Sequence, residues 1–250
     1  MRSPLSVVLV AHNAAAQLPE CLASAAFADE ILLVDSGSAD GTAEAAAKLG
    51  ARVIQKEWLG FGRQKQFAVG AAANDWVLCL DADERVSREL AASIVRALEA
   101  PAAPAYRMAR SNRFMGRWLK HGEGYPDWSL RLFDRRHARW SDDEVHEKVL
   151  CDAEPATLEG DLLHESAEDM RHYLEKQERY AELAARQLLE RGERAGLVTL
   201  AFSPVFRFVK FYLLRLGFLD GLPGLVHIWI GCRNSFMKYA KLMELRKTAK

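Results

Sequence analysis

Two carboxylates one residue apart close an apolar run at residues 76–84, WVLCLDADE, and they are the strongest chemical signal in the chain. Trp76 to Leu80 contains no Gly or Pro, the pattern of a strand buried in a parallel sheet. Asp81 and Asp83 follow at its carboxyl end, where open α/β sheets bind their ligands. Alternate residues of an extended chain point the same way, so both carboxylates can face one site. Unpaired, they would repel each other; a divalent cation relieves that repulsion and adds affinity for phosphate oxygens. A lone D-x-D arises often by chance in polar loops, so its surroundings must decide.

The elements that would position the pair lie upstream. Residues 5–10 (LSVVLV) read as a strand, followed by Ala11-His12-Asn13 and a helix carrying Leu18 and Leu22, with Pro19 in its first turn. Residues 31–34 read as a second strand, which runs into DSGSADGT at 35–42; an Ala-rich helix then stops at Gly50. A weak third strand at 52–54 and a helix at 62–73 precede the strand at Trp76. This alternation predicts an α/β fold with right-handed crossovers and a mostly parallel sheet flanked by helices. Ser87 reads as the N-cap of a helix with Leu90, Ile94, Val95 and Leu98 on one face.

Other chemistries fail on spacing. No G-x-G-x-x-G follows the first strand and no G-x-x-x-x-G-K-[ST] occurs, so a nucleotide must be held through strand-end carboxylates and a metal. His146-Glu147 and His164-Glu165 do not continue as H-E-x-x-H, because Leu150 and Glu168 stand in the required places. No G-x-S-x-G is present. The cysteines Cys21, Cys79, Cys151 and Cys232 form no C-x-x-C, and with Cys79 inside the core strand the expectation is a reduced compartment. The run at 5–10 is too short for a signal-peptide core, which gives a cytoplasmic expectation.

Of the 250 residues, 50% are hydrophobic and 27% charged, which is a globular composition. The formal charge is zero but uneven, since residues 201–250 carry nine Lys/Arg against Asp220 and Glu244. That end is also rich in Phe, Tyr and Trp. Arg215 and Asp220 interrupt its apolar stretch, leaving no uninterrupted part long enough to span a bilayer. It reads either as a segment lying on an anionic membrane surface or as a packed helical pair with solvated lysines. Nucleic acid is not an expected partner, because the front of the chain offers no continuous positive surface. The organisation read from this is a catalytic domain at 1–165 and a helical region at 166–250. Ser166-Ala167-Glu168-Asp169 has the capping-box pattern and opens a helix to Gly192, with Met170, Tyr173, Leu174, Tyr180, Ala184 and Leu188 on one face. Between 105 and 163 the chain is rich in arginine and tryptophan, among them Arg107, Arg110, Trp128, Arg131 and Trp140, which together suit an anionic saccharide.

Residues 5–13, VDSGSADGT at 34–42 and the LDADE strand end, in this order, resemble glycosyltransferase family 2 of the GT-A fold. WLGFGRQK at 58–65, RLF at 131–133, VHE at 145–147 and GFLDG at 217–221 are similar to its lipopolysaccharide-core β-glycosyltransferase branch. Two positions depart from the pattern: Ser36 stands where many members carry a second acid, and Gln66 where the branch usually has Asn. The resemblance implies a Rossmann-like sheet with a C-terminal helical appendage. It further implies inverting transfer of a hexose such as glucose from a nucleotide-sugar, with UDP as the expected nucleotide, to a lipopolysaccharide-core or similar glycolipid. Asp83 would hold Mg²⁺ or Mn²⁺ against the diphosphate, with Asp81 on the ribose or the metal's water shell. Asp35 would accept from the base's ring N–H, His12 and Asn13 would border the base, and Arg63 and Lys65 would face the phosphates. Glu147, positioned by His146, is the first choice of general base and Asp127 the second. A polyprenyl-phosphate sugar transferase, a nucleotidyltransferase and a non-catalytic membrane-recruited module are the rival readings. The expected location is the cytoplasm, peripheral on the inner face of the cytoplasmic membrane.

Overall fold

The computed structural model describes residues 2–142, 147–165 and 170–248. The chain divides into two compact units, Met1–Arg110 with Asp127–Glu165, and Ser111–Pro126 with Ser166–Lys250.

The first unit begins β1 (Leu5–Ala11), α1 (Leu18–Ser24), β2 (Glu30–Asp35), α2 (Thr42–Lys48), β3 (Arg52–Gln55), α3 (Phe61–Ala71) and β4 (Trp76–Asp81). These strands lie in the order β3-β2-β1-β4 and are all parallel, as the strand–helix alternation predicts. Ala11 pairs with Asp35 and Val10 with Asp81, so the carboxyl ends of three strands finish level and carry their acids to one edge. β1, β2 and β4 are apolar along most of their length because helices cover both faces, whereas the edge strand β3 exposes Arg52 and Gln55. Leu5, Val7, Leu9, Leu78 and Leu80 point to α1 and to α4 (Arg88–Glu99), while Val8, Val77 and Cys79 point to α3. Ser87 caps α4, its hydroxyl accepting from the Leu90 N–H at 3.2 Å.

Beyond β4 the sheet becomes antiparallel. It adds β5 (Glu84–Val86), β6 (Ala105–Phe114), β8 (Asp127–Asp134) and β11 (Ala156–His164) in the order β4-β8-β6-β11-β5, while β7 (Arg117–Trp118) pairs with the end of β6. The sheet as a whole is therefore mixed, with its parallel half carrying the strand-end acids. β9 (Ala138–Trp140) and β10 (Val149–Cys151) form a separate two-stranded ribbon. Gly160 lies at φ +87°, and a Cβ there would stand 2.3 Å from the Leu90 backbone nitrogen, so β11 can pass over the start of α4 only with glycine at that point.

The second unit is mainly helical, with α5 (Met170–Glu190), α6 (Leu197–Phe208), a π-helical turn at Val209–Leu214, a 3₁₀ turn at Gly217–Asp220 and α7 (Gly221–Thr248). The expected cap at Ser166 to Asp169 lies outside the described residues. The inward face of α5 is centred on Ala181 and Ala185, both buried, with Tyr173 and Leu174 beside them; Met170 and Tyr180, expected on that face, are exposed. Small residues win there because they let α5 and α7 approach closely. A second correction concerns length. Leu197–Leu214 is one continuous helix of 18 residues with mean hydropathy 1.6, long and apolar enough by length and composition to cross a membrane. Arg215 ends that stretch rather than dividing it, and Arg207 and Lys210 lie within it.

Candidate active site at the carboxyl ends of β1, β2 and β4

The loops after β1 and β2 are stitched together by side chains. Asp35 is fully buried, and its Oδ2 accepts from the backbone N–H groups of Gly37 (3.2 Å) and Ser38 (3.1 Å), while Oδ1 accepts from the Ser38 hydroxyl. The Ser38 hydroxyl oxygen in turn accepts from the Asn13 N–H at 2.8 Å, and Asn13 Oδ1 accepts from the Ala39 N–H at 2.9 Å. Asp40 and Thr42 take the next amides, those of Ala15 at 3.0 Å and Ala14 at 2.8 Å. Gly37 and Gly41, at φ +84° and +85°, give the second loop the left-handed turns this clasp needs. The Asn13 amide lies 3.2 Å from His12 Nε2, so both residues expected beside a base stand on the exposed rim of the clasp. Asp35, expected to face the base, here gives three of its acceptor positions to the loop.

Asp81 lies between two cations. Its Oδ1 is 3.2 Å from Lys65 Nζ and its Oδ2 is 2.7 Å from Arg131 Nη2. Burial works against the charge, but Arg131 and Lys65 hold the Asp81 carboxyl well below the usual carboxylate range. The pairs continue in both directions. Lys65 also meets Glu147 Oε1 at 3.0 Å, while Arg131 meets the fully buried Glu84 Oε1 at 2.8 Å. Arg110 reaches Glu84 at 3.4 Å and donates from Nε and Nη2 to Asp127 Oδ2 at 2.8 and 2.6 Å. The result is an unbroken row, Glu147–Lys65–Asp81–Arg131–Glu84–Arg110–Asp127, with Trp140 beside both Lys65 and Arg131. Because folded Asp81 binds its proton less tightly than the unfolded chain does, its contribution to stability is complete above the unfolded carboxyl value of about 4 and drains away as pH falls below it.

The row makes Arg131 the residue whose loss should unsettle the unit most. Arg131→Met keeps most of the side-chain volume but leaves Glu84 and Asp81 as anions without their shared cation. The expected cost is about 3 kcal/mol or more, since removing one partner strands buried charge. A chemical denaturation midpoint equal to wild type would show that the row is not a stability element.

Asp83 stands apart from the row. Its Oδ2 lies 3.2 Å from His164 Nε2, brought there by pairing of β11 with β5, where His164 is opposite Glu84. Among the described residues no group of three or more metal-ligating side chains occurs. The donor chemistry nevertheless suits a hard divalent ion. A partly exposed carboxylate with one imidazole leaves most coordination positions to water and phosphate oxygens, as nucleotide-bound Mg²⁺ and Mn²⁺ require. Asp81, engaged by two cations, is the poorer ligand of the D-x-D pair.

The remaining expected residues fall as follows. Glu147 and Asp127 terminate the row at its two ends, His146 lies outside the described residues, and Arg63 is exposed on the first turn of α3. Lys65 is buried between Asp81 and Glu147, where both of its partners are carboxylates. Gln66 Oε1 accepts from the Trp140 N–H at 2.9 Å, tying α3 to β9, and Ser36 Oγ accepts from the buried Gln64 at 3.1 Å. Both departures from the family pattern thus have packing roles. Of the arginine- and tryptophan-rich stretch, Arg131 and Trp140 are buried, whereas Trp128 is exposed with the Arg107 guanidinium 5.4 Å from its ring centre. His164, set aside as a zinc ligand on spacing, and Glu84, Asp40 and Thr42, which lie inside the two motifs, acquire their roles here only from the contacts they make.

A family profile described as "Glycosyl transferase family 2" matches residues 6–152. The lipopolysaccharide core biosynthesis glycosyltransferase LpsC of Rhizobium meliloti (strain 1021) is 30% identical over 96% of this chain and 92% of its own. The uncharacterized glycosyltransferase RT0209 of Rickettsia typhi is 28% identical over 96% of this chain and 87% of its own. Among solved structures, the mannosyltransferase PcManGT from Pyrobaculum calidifontis, in complex with GDP-Man and Mn²⁺, superposes with a TM-score of 0.55 at 18% identity, covering 97% of this chain and 86% of that one. The mannosyl-3-phosphoglycerate synthase from Rubrobacter xylanophilus gives 0.50 at 21% identity, covering 78% and 77%.

Proposed function

The chain belongs to glycosyltransferase family 2, and from that premise we propose that it moves a hexose such as glucose from a UDP-sugar to a lipopolysaccharide-core or similar glycolipid acceptor, with inversion at the anomeric carbon. The observation that carries this reading is the level edge where β1, β2 and β4 end, with the loops after β1 and β2 stitched together and Asp83, just beyond β4, 3.2 Å from His164. The similarity to a core-biosynthesis transferase along nearly the whole chain supports the acceptor class. A glycolipid acceptor and a cytosolic donor together favour the inner face of the cytoplasmic membrane.

In this reading the loops holding His12, Asn13 and Asp35 receive the base, and Arg63 faces the phosphates. Asp83, with His164 at its side, would hold Mg²⁺ or Mn²⁺. When bound, that ion neutralises charge developing on the departing nucleoside diphosphate. Glu147 removes the proton from the acceptor hydroxyl as its oxygen forms the new bond to the anomeric carbon and the bond to the phosphate oxygen breaks. Lys65 keeps Glu147 directed toward Asp81, and hence toward the donor edge. Exposed Trp128 and Arg107 offer a stacking face and a cation for an anionic saccharide.

A panel of UDP- and GDP-sugars, assayed with Mn²⁺ and with chelator, tests the proposal directly. Metal-dependent release of nucleoside diphosphate from one donor supports it. Release of pyrophosphate from a nucleoside triphosphate and a sugar phosphate, or no turnover of any donor, would overturn it.

A further inference from the structure

In the second unit, α6 and the π-helical turn after it are built inside out. No residue of Leu197–Leu214 is buried. Val198, Phe202, Val205, Phe206, Val209 and Leu213 recur at helical spacing on one outward stripe, with Phe202 65% and Phe206 70% exposed. The polar residues take the other side: Ser203 and Arg207 are half-buried, and Arg207 Nε donates to Glu123 Oε2 at 3.0 Å. A helix on a water-facing surface presents the opposite arrangement. The apolar surface also continues off this helix, through Phe218, Leu219 and Leu222 to Trp229, all exposed. Soluble monomers rarely present so many contiguous large apolar side chains.

Charge identifies what covers this face. Between Glu193 and Glu244 the chain carries seven Lys/Arg and a single acid, Asp220. Asp220 is 1% exposed and accepts from the backbone N–H groups of Lys120 and His121 at 3.0 and 2.8 Å, so it does not offset the surface cations. Of the seven cations, Arg207, Arg233 and Lys241 pair with Glu123, Glu178 and Glu182, and those beside the stripe are Lys210 and Arg215. Lys210 and Arg215 are exposed next to the apolar stripe, where long basic side chains can lift their heads into a phosphate layer. A second copy of the chain seated on this face would set Lys210 and Arg215 against their own counterparts and bring like charges together. An anionic leaflet offers both the apolar interior and the counter-charge.

We propose that this face is a lipid-inserting surface that lays α6 in the plane of an anionic phospholipid leaflet. The helix lies along the leaflet rather than across it, because Arg207 and Lys210 sit within its length and the apolar surface extends beyond its end onto the 3₁₀ turn and α7. The proposal deepens the glycolipid reading and rests on it only for the choice of leaflet. Its basis is apolar insertion, with the cations as guides, so salt alone should not reverse it.

The test is flotation of the full-length protein with vesicles of phosphatidylethanolamine and phosphatidylglycerol, at low salt and in molar salt, where charges are screened within about 3 Å. Wild type is expected to float under both conditions. The variant Phe202→Gln, Phe206→Gln, Leu213→Gln changes only exposed positions and is expected to lose affinity by roughly a hundredfold or more. Equal flotation of that variant, or complete release of wild type by salt, would overturn the proposal. So would lipid-free dimers that the triple variant turns into monomers with no vesicle binding by either protein, which would make a second copy the occupant. Donor cleavage measured in parallel separates this proposal from the transferase reading: vesicle binding without any donor turnover sinks the chemistry and leaves the surface standing, and turnover without binding does the reverse.

Discussion

Asp83→Ala is expected to lower transfer by roughly 10²–10³-fold or more at saturating donor and Mn²⁺, with little change in melting temperature. The side chain lies in the turn between β4 and β5 rather than in the core; it is partly exposed and its described partner is His164 at 3.2 Å. On the proposed mechanism the substitution removes a metal ligand and, with it, stabilisation of charge on the leaving group, the kind of interaction whose loss falls on turnover. His164→Ala should act in the same direction and more weakly, and the two together should lose less than the product of the separate losses, because they serve one ion. Normal turnover by Asp83→Ala would transfer the metal role elsewhere and leave the D-x-D as a loop feature.

Glu147→Gln should retain donor affinity and lose turnover by roughly a hundredfold, the size expected when a general base is removed. The amide oxygen can still accept from Lys65, which now contacts Glu147 at 3.0 Å, so the local arrangement survives and only the proton acceptor is lost. Asp127→Asn is the decisive companion. Asp127 is held by two nitrogens of Arg110 through one oxygen, leaving the other oxygen for an acceptor hydroxyl. If Asp127→Asn is inactive and Glu147→Gln is not, the base is Asp127. Donor affinity, read by isothermal titration with the UDP-sugar, must stay unchanged in whichever variant loses the base.

The parallel half of the fold was legible because its signals are local. An apolar run between turn residues can be read one strand at a time, and 5–10, 31–34 and 76–80 each lie inside an observed strand. The acids at 81 and 83 were visible for the same reason. What distinguishes them was not visible. Asp81 belongs to an ion row because RLF brings Arg131 in from an antiparallel strand 50 residues later, and Asp83 meets a histidine 81 residues away. No periodicity encodes such partners; only the pairing of β8 with β4 and of β11 with β5 does. Lys65 shows the same limit, since a lysine near a helix start reads as a solvated phosphate contact until its burial between two carboxylates is seen. The C-terminal helix misled in the other direction: Arg215 and Asp220 read as interruptions, whereas the apolar helix closes at Leu214 before either, and Arg207 within it turns inward to Glu123 and leaves the outer stripe apolar.

The ion row also carries an arithmetic of its own. It begins and ends on an acid, so four carboxylates share three cations and the ionised row holds one negative charge too many. A proton arriving at either end cancels that surplus. If Glu147 takes the acceptor's proton as proposed, the catalytic step brings the row to neutrality instead of building up charge in it, and the released proton must later leave a neutral assembly that regains its anion.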